Sequence, residues 1–141
     1  MNFKKFTLGL GAAAALVSVT AVDIAVAAET IFVPGLVYRT GAYAPNGGPF
    51  ANGFKEYITL LNERDGGVNG VRIVYEECET GYNTKVGVEC YEKMKSKNPV
   101  VIIPNSTGIT YQLIPKTAVD KIPLLTIGYG RTSAAVGSIF P

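Results

Sequence analysis

A doubly wound α/β fold, a parallel sheet threaded in the order β-α-β-α-β-α-β, is what this sequence predicts beyond its first 28 residues. Two observations carry that expectation. Short apolar runs recur along the chain as IFVPGLVY, VRIVYEEC, VVIIP and LLTIG, and a stretch of helical length separates each from the next. Runs that are apolar almost throughout belong to strands covered on both faces, as in a parallel sheet. Their alternation with helices of about ten to fifteen residues implies right-handed crossovers and helices on both faces of that sheet.

Residues 1–28 are expected to lie outside the fold. Lys4 and Lys5 give a basic start and LGLGAAAALVSVTAV carries no charge. Val26, Ala27 and Ala28 then place small residues where a signal peptidase reads, with cleavage after Ala27 or Ala28. The apolar run is short of the roughly 20 residues that span a bilayer, and no cysteine follows it closely enough to suggest a lipid anchor. A secretory signal peptide, and hence a periplasmic or extracellular location, is the expectation. Residues 29–141 then have the length of one domain.

The first strand is placed at Ile31–Tyr38, with Pro34-Gly35 near its start, where proline is tolerated. The glycine- and proline-rich stretch TGAYAPNGGP, Thr40–Pro49, follows as a loop. From Phe50, the residues Phe54, Tyr57, Ile58 and Leu61 recur at helical steps until Arg64, and Asp65-Gly66-Gly67 stops the helix. In the next strand Val71, Ile73 and Tyr75 alternate with Arg72 and Glu76, which suits a position nearer the sheet edge. The loop ETGYN leads to Thr84 as N-cap of a second helix, carrying Val86, Val88, Cys90, Tyr91 and Met94 and ending near Lys97. Lys93, Lys95 and Lys97 suit the negative end of that helix dipole better than a binding patch. VVIIP is a central strand, Asn105–Gly108 a loop, and Ile109–Asp120 a third helix that Pro115 should break or kink. LLTIG is the fourth strand, followed by YGRTSAAVGSIFP.

Composition narrows the chemistry. The chain has thirteen Lys and Arg, eleven Asp and Glu, no His and two Cys. Setting aside Lys4, Lys5 and Asp23 leaves a net charge of +1. With no basic run, nucleic acid is not an expected partner. With two cysteines and no histidine, a zinc or copper site has almost no ligands to draw on, and a cysteine nucleophile has no histidine base; no metal or cofactor is expected. In an oxidising compartment Cys78 and Cys90 pair more readily as a disulfide than they persist as free thiols.

In a doubly wound fold, ligands sit beyond the carboxyl ends of the strands. TGAYAPNGGP, ETGYN, NSTG and GYGRTS all leave carboxyl ends. TGAYAPNGGP lacks both the Lys-Ser/Thr ending of a phosphate loop and the G-x-G-x-x-G spacing, so a nucleotide is not expected. Ser106 and Thr107 begin a helix, where free N–H groups attract an anion or carbonyl oxygen. The same residues are equally the chemistry of an ordinary N-cap. Arg131 is either a bidentate carboxylate partner or a solvated arginine, and Tyr43 and Tyr129 either close over a ligand or pack. Ser106 has no nearby His or Lys base and G-x-S-x-G is absent. Hydroxyls, backbone amides and one arginine suit capture rather than turnover, so the chain is not read as an enzyme.

The segment VYRTGAYAPNGGPFANGFKEYITLLNERDGGVNGVRIVYEECETGYN resembles the opening of the exported solute-binding proteins of branched-chain amino acid ABC importers, the Leu/Ile/Val-binding-like group with a type I periplasmic-binding fold. Asn62 through Gly70, N-E-R-D-G-G-V-N-G, is close to the family's N-x-x-G-G-[IV]-N-G, and NSTG and IPLLTIGYGRTS match its hydroxyl-rich loop and following strand. The resemblance implies part of the first lobe of a two-lobed clamshell, an N-terminal fragment without its second lobe. It also implies a small-molecule solute (amino acid, amide or small carboxylate) and an ABC importer membrane permease as partners. Carried over, Ser106 and Thr107 would touch the solute first, Tyr129, Gly130 and Arg131 would form the second loop, and Tyr43 or Asn46 would come from the first. Gly130-Arg131 departs from the small residue and threonine of amino-acid binders, which leaves an aromatic acid open as well. A ligand-binding domain of a membrane sensor or receptor of the same fold is the alternative.

Overall fold

The computed structural model describes residues 29–127 and 139–140. The expected signal peptide, residues 1–28, and the expected loop residues Tyr129, Gly130 and Arg131 lie outside them. Within them the chain runs β1 (Thr30–Val37), α1 (Ala44–Asp65), β2 (Arg72–Glu79), α2 (Thr84–Lys95), β3 (Ile103–Pro104), α3 (Thr107–Asp120), β4 (Leu124–Leu125) and β5 (Ile139–Phe140). The parallel α/β architecture is the one expected; β5, beside β4, adds a strand that the sequence did not announce.

β1 is the centre. It pairs in parallel with β2 along its full length, from Thr30 opposite Arg72 to Val37 opposite Glu79, and on its other side with β3. A parallel bridge between Ile102 and Leu124, with Leu125 N donating to Ile102 O at 3.0 Å, brings β4 next to β3. The strand order is thus β2-β1-β3 followed by β4 and β5, and it reverses at β1. As its polar alternation suggested, β2 lies at an edge among the described residues.

Two prolines explain why β3 and β4 are so short. Pro34 is the fifth of eight residues in β1, not a starting residue as the sequence reading had it. The carbonyls of Phe32 and Leu36, two residues either side of it, face the β3 side, where they accept Val100 N and Asn105 N, both at 3.0 Å. Pro34 therefore withholds its donor from β3, and that ladder is confined to Gly35 opposite Ile103 and Leu36 opposite Pro104. Pro104 in turn gives no donor toward β4.

Each face of the sheet has its own core. Leu36, Ile102 and Leu124 pack with Cys90, Tyr91, Ile109 and Leu113 of α2 and α3. Gly87 lets those two helices approach: a Cβ there would meet the Ile109 side chain at 2.6 Å. On the opposite face, Val33, Val37 and Ile103 are buried together with Ala51 and Ile58 of α1. Cys78 of β2 and Cys90 of α2 are joined as a disulfide, S–S 2.02 Å.

Helix boundaries differ from expectation for identifiable reasons. α1 starts at Ala44, six residues early, because Pro45 in its first turn needs no donor and already has a helical φ. Pro49 is exposed and removes a single helical bond. The buried face also differs from expectation. Gly47, Ala51 and Ile58 point inward, while Phe50 and Tyr57, expected inside, are 43% and 59% exposed. α2 is capped by Asn83 rather than Thr84, its Oδ1 accepting from Lys85 N at 2.9 Å and Val86 N at 3.2 Å. α3 starts at Thr107, and Pro115 does not break it because it lies on the exposed side.

Two stability predictions follow from this packing. A Cβ on Gly47 would collide with Tyr38 O and the Tyr38 ring, whereas one on Gly48 would meet nothing within 4 Å. Gly47→Ala is expected to destabilise the fold by about 1–3 kcal/mol, and Gly48→Ala to stabilise it by about 0.5–1 kcal/mol. Denaturant titration of the two variants checks the opposite signs. Replacing Cys78 and Cys90 together by Ala should cost about 3 kcal/mol, the loop-closure value for a separation of 12 residues, in the same titration.

Candidate functional site

The carboxyl edge of the sheet is drawn together by hydrogen bonds to the end of β1. Val37 O accepts both Thr80 N and Thr80 Oγ1 at 2.8 Å, which fixes the loop after β2. Leu36 O accepts Asn105 N at 3.0 Å, which fixes the loop after β3. The Glu79 carboxylate then ties the first two loops to each other, accepting from Arg39 N at 2.8 Å, Gly81 N at 2.7 Å and Thr40 Oγ1 at 3.1 Å. Burial alone would push the Glu79 carboxyl up, but these donors, led by Arg39 N and Gly81 N, hold it below its ordinary value. Arg39 clamps the same corner, donating through Nε and Nη2 to Glu77 at 2.6 and 2.8 Å and through Nη1 to Asn52 of α1 at 2.7 Å.

Above this edge lies a cavity of about 530 Å³ lined by Tyr38, Asn46, Phe50 and Ile127. An aromatic cluster flanks it. The Tyr82 ring stands edge-on to Tyr38, centroids 4.8 Å apart, and tilted against Tyr43 at 4.5 Å. Tyr82 holds this place in a left-handed conformation, φ 63°, unusual for a bulky residue. Thr80 Oγ1 supports the turn by accepting Tyr82 N at 3.2 Å.

The expected residues separate into three groups. Asn46 lines the cavity, and Tyr43, one helical step away with its carbonyl accepting Asn46 N at 3.0 Å, belongs to the flanking aromatic cluster. Ser106 is buried as N-cap of α3, Oγ accepting Ile109 N at 3.4 Å, and Thr107 is the first helical residue. Tyr129, Gly130 and Arg131 lie outside the described residues. Sequence reasoning did not single out Tyr38, Phe50, Tyr82, Asn105 or Ile127. Tyr38, Asn105 and Ile127 lie within two residues of a strand end, Tyr82 three residues beyond β2, and Phe50 in the second turn of α1.

A second cavity, of about 480 Å³, opens at the other end of the sheet between the last turns of α2 and α3. Its charges answer one another. Lys95 bridges Glu92 at 2.8 Å and Asp120 at 3.1 Å, Lys116 reaches Glu92 at 2.8 Å, and Tyr91 Oη donates to Asp120 at 2.5 Å. The Tyr91 hydrogen bond, then that of Lys95, holds the Asp120 carboxyl below its usual value, and Lys116, then Lys95, does the same for Glu92. This end ties two helices together, and the carboxyl edge is where the fold leaves room for a ligand.

The sequence pattern described as Periplasmic binding protein matches residues 30–140. The chain belongs to the periplasmic binding protein family. A solved structure from the Pseudomonas fluorescens group, described as an ABC transporter permease, is 38% identical over 80% of this chain and 29% of its own, with a TM-score of 0.72. A fatty acid ABC transporter substrate-binding protein from Thermomonospora curvata is 25% identical over 79% of this chain and 28% of its own, TM-score 0.67. A branched-chain amino acid ABC transporter protein from Thermus thermophilus with bound valine, 23% identical, shares the fold over 79% of this chain and 30% of its own, TM-score 0.67. The chain spans less than a third of the length of each of these structures. No curated protein matches it by sequence. As a periplasmic binding protein, the chain is extracytoplasmic, and its relatives are the binding proteins of ABC transporters.

The Glu79 contacts give a pH prediction. A carboxyl held below its ordinary value of 4.5 contributes stability above that pH, and the contribution is lost as pH falls through and below it. The unfolding midpoint of Glu79→Gln should therefore lie below that of the unmodified chain near neutrality. The two should converge in acid, as a pH series of thermal melts will report.

Proposed function

We propose that this chain captures a small solute (amino acid, amide or small carboxylate) outside the cytoplasm and delivers it to the membrane permease of an ABC importer. Residues 1–28 act as its secretory leader. The observation that carries this reading is the cavity at the carboxyl edge of a periplasmic-binding lobe, walled by Tyr38, Phe50 and Ile127 with one amide, Asn46, among them. An apolar wall with few polar groups is the form of a binding pocket. Nothing in it resembles a nucleophile with its base. The importer reading is supported by what the related structures are named for, amino acid and fatty acid transport among them. The helix start at Ser106 and Thr107 supplies backbone N–H groups suited to a carboxylate or carbonyl oxygen, and Arg131 is assigned to the same end of the solute.

The test is ligand-induced stabilisation of the full chain across a library of amino acids, amides and small carboxylates. A true solute at a hundred times its dissociation constant should raise stability by about 2.7 kcal/mol, and it should be recovered unchanged. Asn46→Ala and Thr107→Val should each weaken binding between about twofold and tenfold, the value of one hydrogen bond. Absence of any stabilising compound, or chemical conversion of the one that binds, would remove the proposal.

A further inference from the structure

α1 carries two of the residues that line the cavity, Asn46 and Phe50, yet it grips the sheet with little apolar surface. Its buried residues are Gly47, Ala51 and Ile58, while Phe50, Tyr57 and Leu60 are exposed. Small inward side chains let the helix come close, but they do little to fix where it stands. Polar fastenings to β2 do that at two points. Near the far end, Asn62 exchanges two hydrogen bonds with Ile73, Nδ2 donating to Ile73 O at 2.8 Å and Oδ1 accepting Ile73 N at 2.9 Å. Near the cavity, the fastening runs through Asn52 and Arg39.

That second fastening is built in layers. The Tyr75 ring packs against Phe54 of α1, centroids 5.3 Å apart, and Gly35 leaves room for it, since a Cβ there would collide with the Tyr75 hydroxyl. Burial, then the Glu77 carboxylate beside it, pushes that hydroxyl above its ordinary value. Arg39 closes the arrangement. Its Nε and Nη2 fork onto Glu77 at 2.6 and 2.8 Å, and Nη1 diverges to Asn52 Oδ1 at 2.7 Å. Arg39 directly follows Tyr38, and Asn52 lies two residues beyond Phe50. The clamp thus joins the strand end that carries Tyr38 to the helix that carries Asn46 and Phe50. A pair of this exposure adds little to overall stability. A planar fork with a divergent third donor fixes geometry instead, which a lysine ammonium does not reproduce.

We infer that Arg39 is a positioning residue for the cavity: through Asn52 it holds the first turns of α1, and with them Asn46 and Phe50, against the end of β1. It touches no solute. Its effect on capture is indirect and rests on the solute-capture reading. Walls held in place present a preformed pocket, whereas a wall that opens must be ordered again when a solute binds, at a cost in affinity. The Asn62 fastening keeps the helix attached at its far end, so loss of the Arg39 contact opens the near turns without unfolding the chain.

Hydrogen exchange of the full chain tests it, in the unmodified protein and in Asn52→Ala, Asn52→Asp and Arg39→Lys. Alanine is the better helix former, so Asn52→Ala would slow exchange in α1 if Asn52 were an ordinary surface residue. The expected sign is the opposite. Amides of residues 50–54 should exchange about tenfold faster, the value of one charge-assisted hydrogen bond, while those of α2 stay unchanged. Asn52→Asp keeps an acceptor for Arg39 and should remain within about twofold of the unmodified chain. Arg39→Lys keeps the charge beside Glu77 without the fork and should behave as Asn52→Ala. Unchanged or slower exchange in Asn52→Ala, or a rise shared by α2, would overturn the positioning role; if Arg39→Lys fails to fold, the two Asn52 variants decide alone. Compounds that stabilise the unmodified chain in the library of the preceding section should bind Asn52→Ala about fivefold more weakly, with affinity restored in Asn52→Asp. Equal affinity in both, with α1 opened, would confine Arg39 to the fold and overturn its part in capture. If no compound of the library binds, the capture reading falls, and the exchange rates still decide whether Arg39 holds the wall.

Discussion

Leu36 and Val37 end β1, which pairs with β2 along one side and with β3 along the other, and their carbonyl oxygens hold the loops of both neighbours. Thr80 hangs from Val37 by two hydrogen bonds and Asn105 from Leu36 by one, all at 3.0 Å or less. Because strand order reverses at β1, the crossovers to β2 and β3 leave in opposite directions and their helices cover opposite faces. The crevice between them is a consequence of that reversal. Tyr38 follows directly on the end of β1, and the loop at Asn105 is held to it through one bond.

The stretch TGAYAPNGGP is shaped by the same constraint. A helix that begins directly above the end of a strand must come close to it, and Gly47 is what permits this: no side chain fits between α1 and Tyr38. Gly41, at φ 84°, makes the reversal that precedes the helix. Pro45 sets the first turn. The glycines and prolines therefore act in three different ways, and none of them cradles a phosphate. Their joint effect is to bring the first turn of α1, with Asn46 and Phe50, over the sheet edge. An ordinary loop reaching to Pro49 would have left those two residues without a fixed place.

The sequence disclosed the fold more fully than the site. Period and apolarity depend on local spacing, so the order of strands and helices, the edge position of β2 and the cap chemistry around α3 could all be read along the chain. Boundaries were misplaced where proline acts by position. Pro34 was taken for a strand opener and Pro49 for the end of a loop, yet both lie inside elements whose partners tolerate a missing donor. Phe50 and Tyr57 were assigned inward because periodicity gives a face only once the helix start is known. Of the candidate residues, Asn46 lines the cavity at the carboxyl edge and Tyr43 packs on Tyr82 beside it. Tyr82 could not be singled out, since it is distinguished by the sign of a backbone angle.

Among the described residues, charged side chains are largely paired with one another. Arg39 is neutralised by Glu77, Lys97 pairs with Glu76 at 2.6 Å, and Lys95 and Lys116 are occupied with Glu92 and Asp120 at the far end. Exposed pairs of this kind add little stability each. Among the described residues, none of the four that line the cavity carries a charge. A free charge in a pocket attracts any counter-ion, whereas a neutral wall with one fixed amide rejects a solute that leaves the amide unpaired. On the proposed capture reading, discrimination would rest on desolvation: a molecule gains by covering Tyr38 and Phe50 only if it also satisfies the polar groups it shuts away from water.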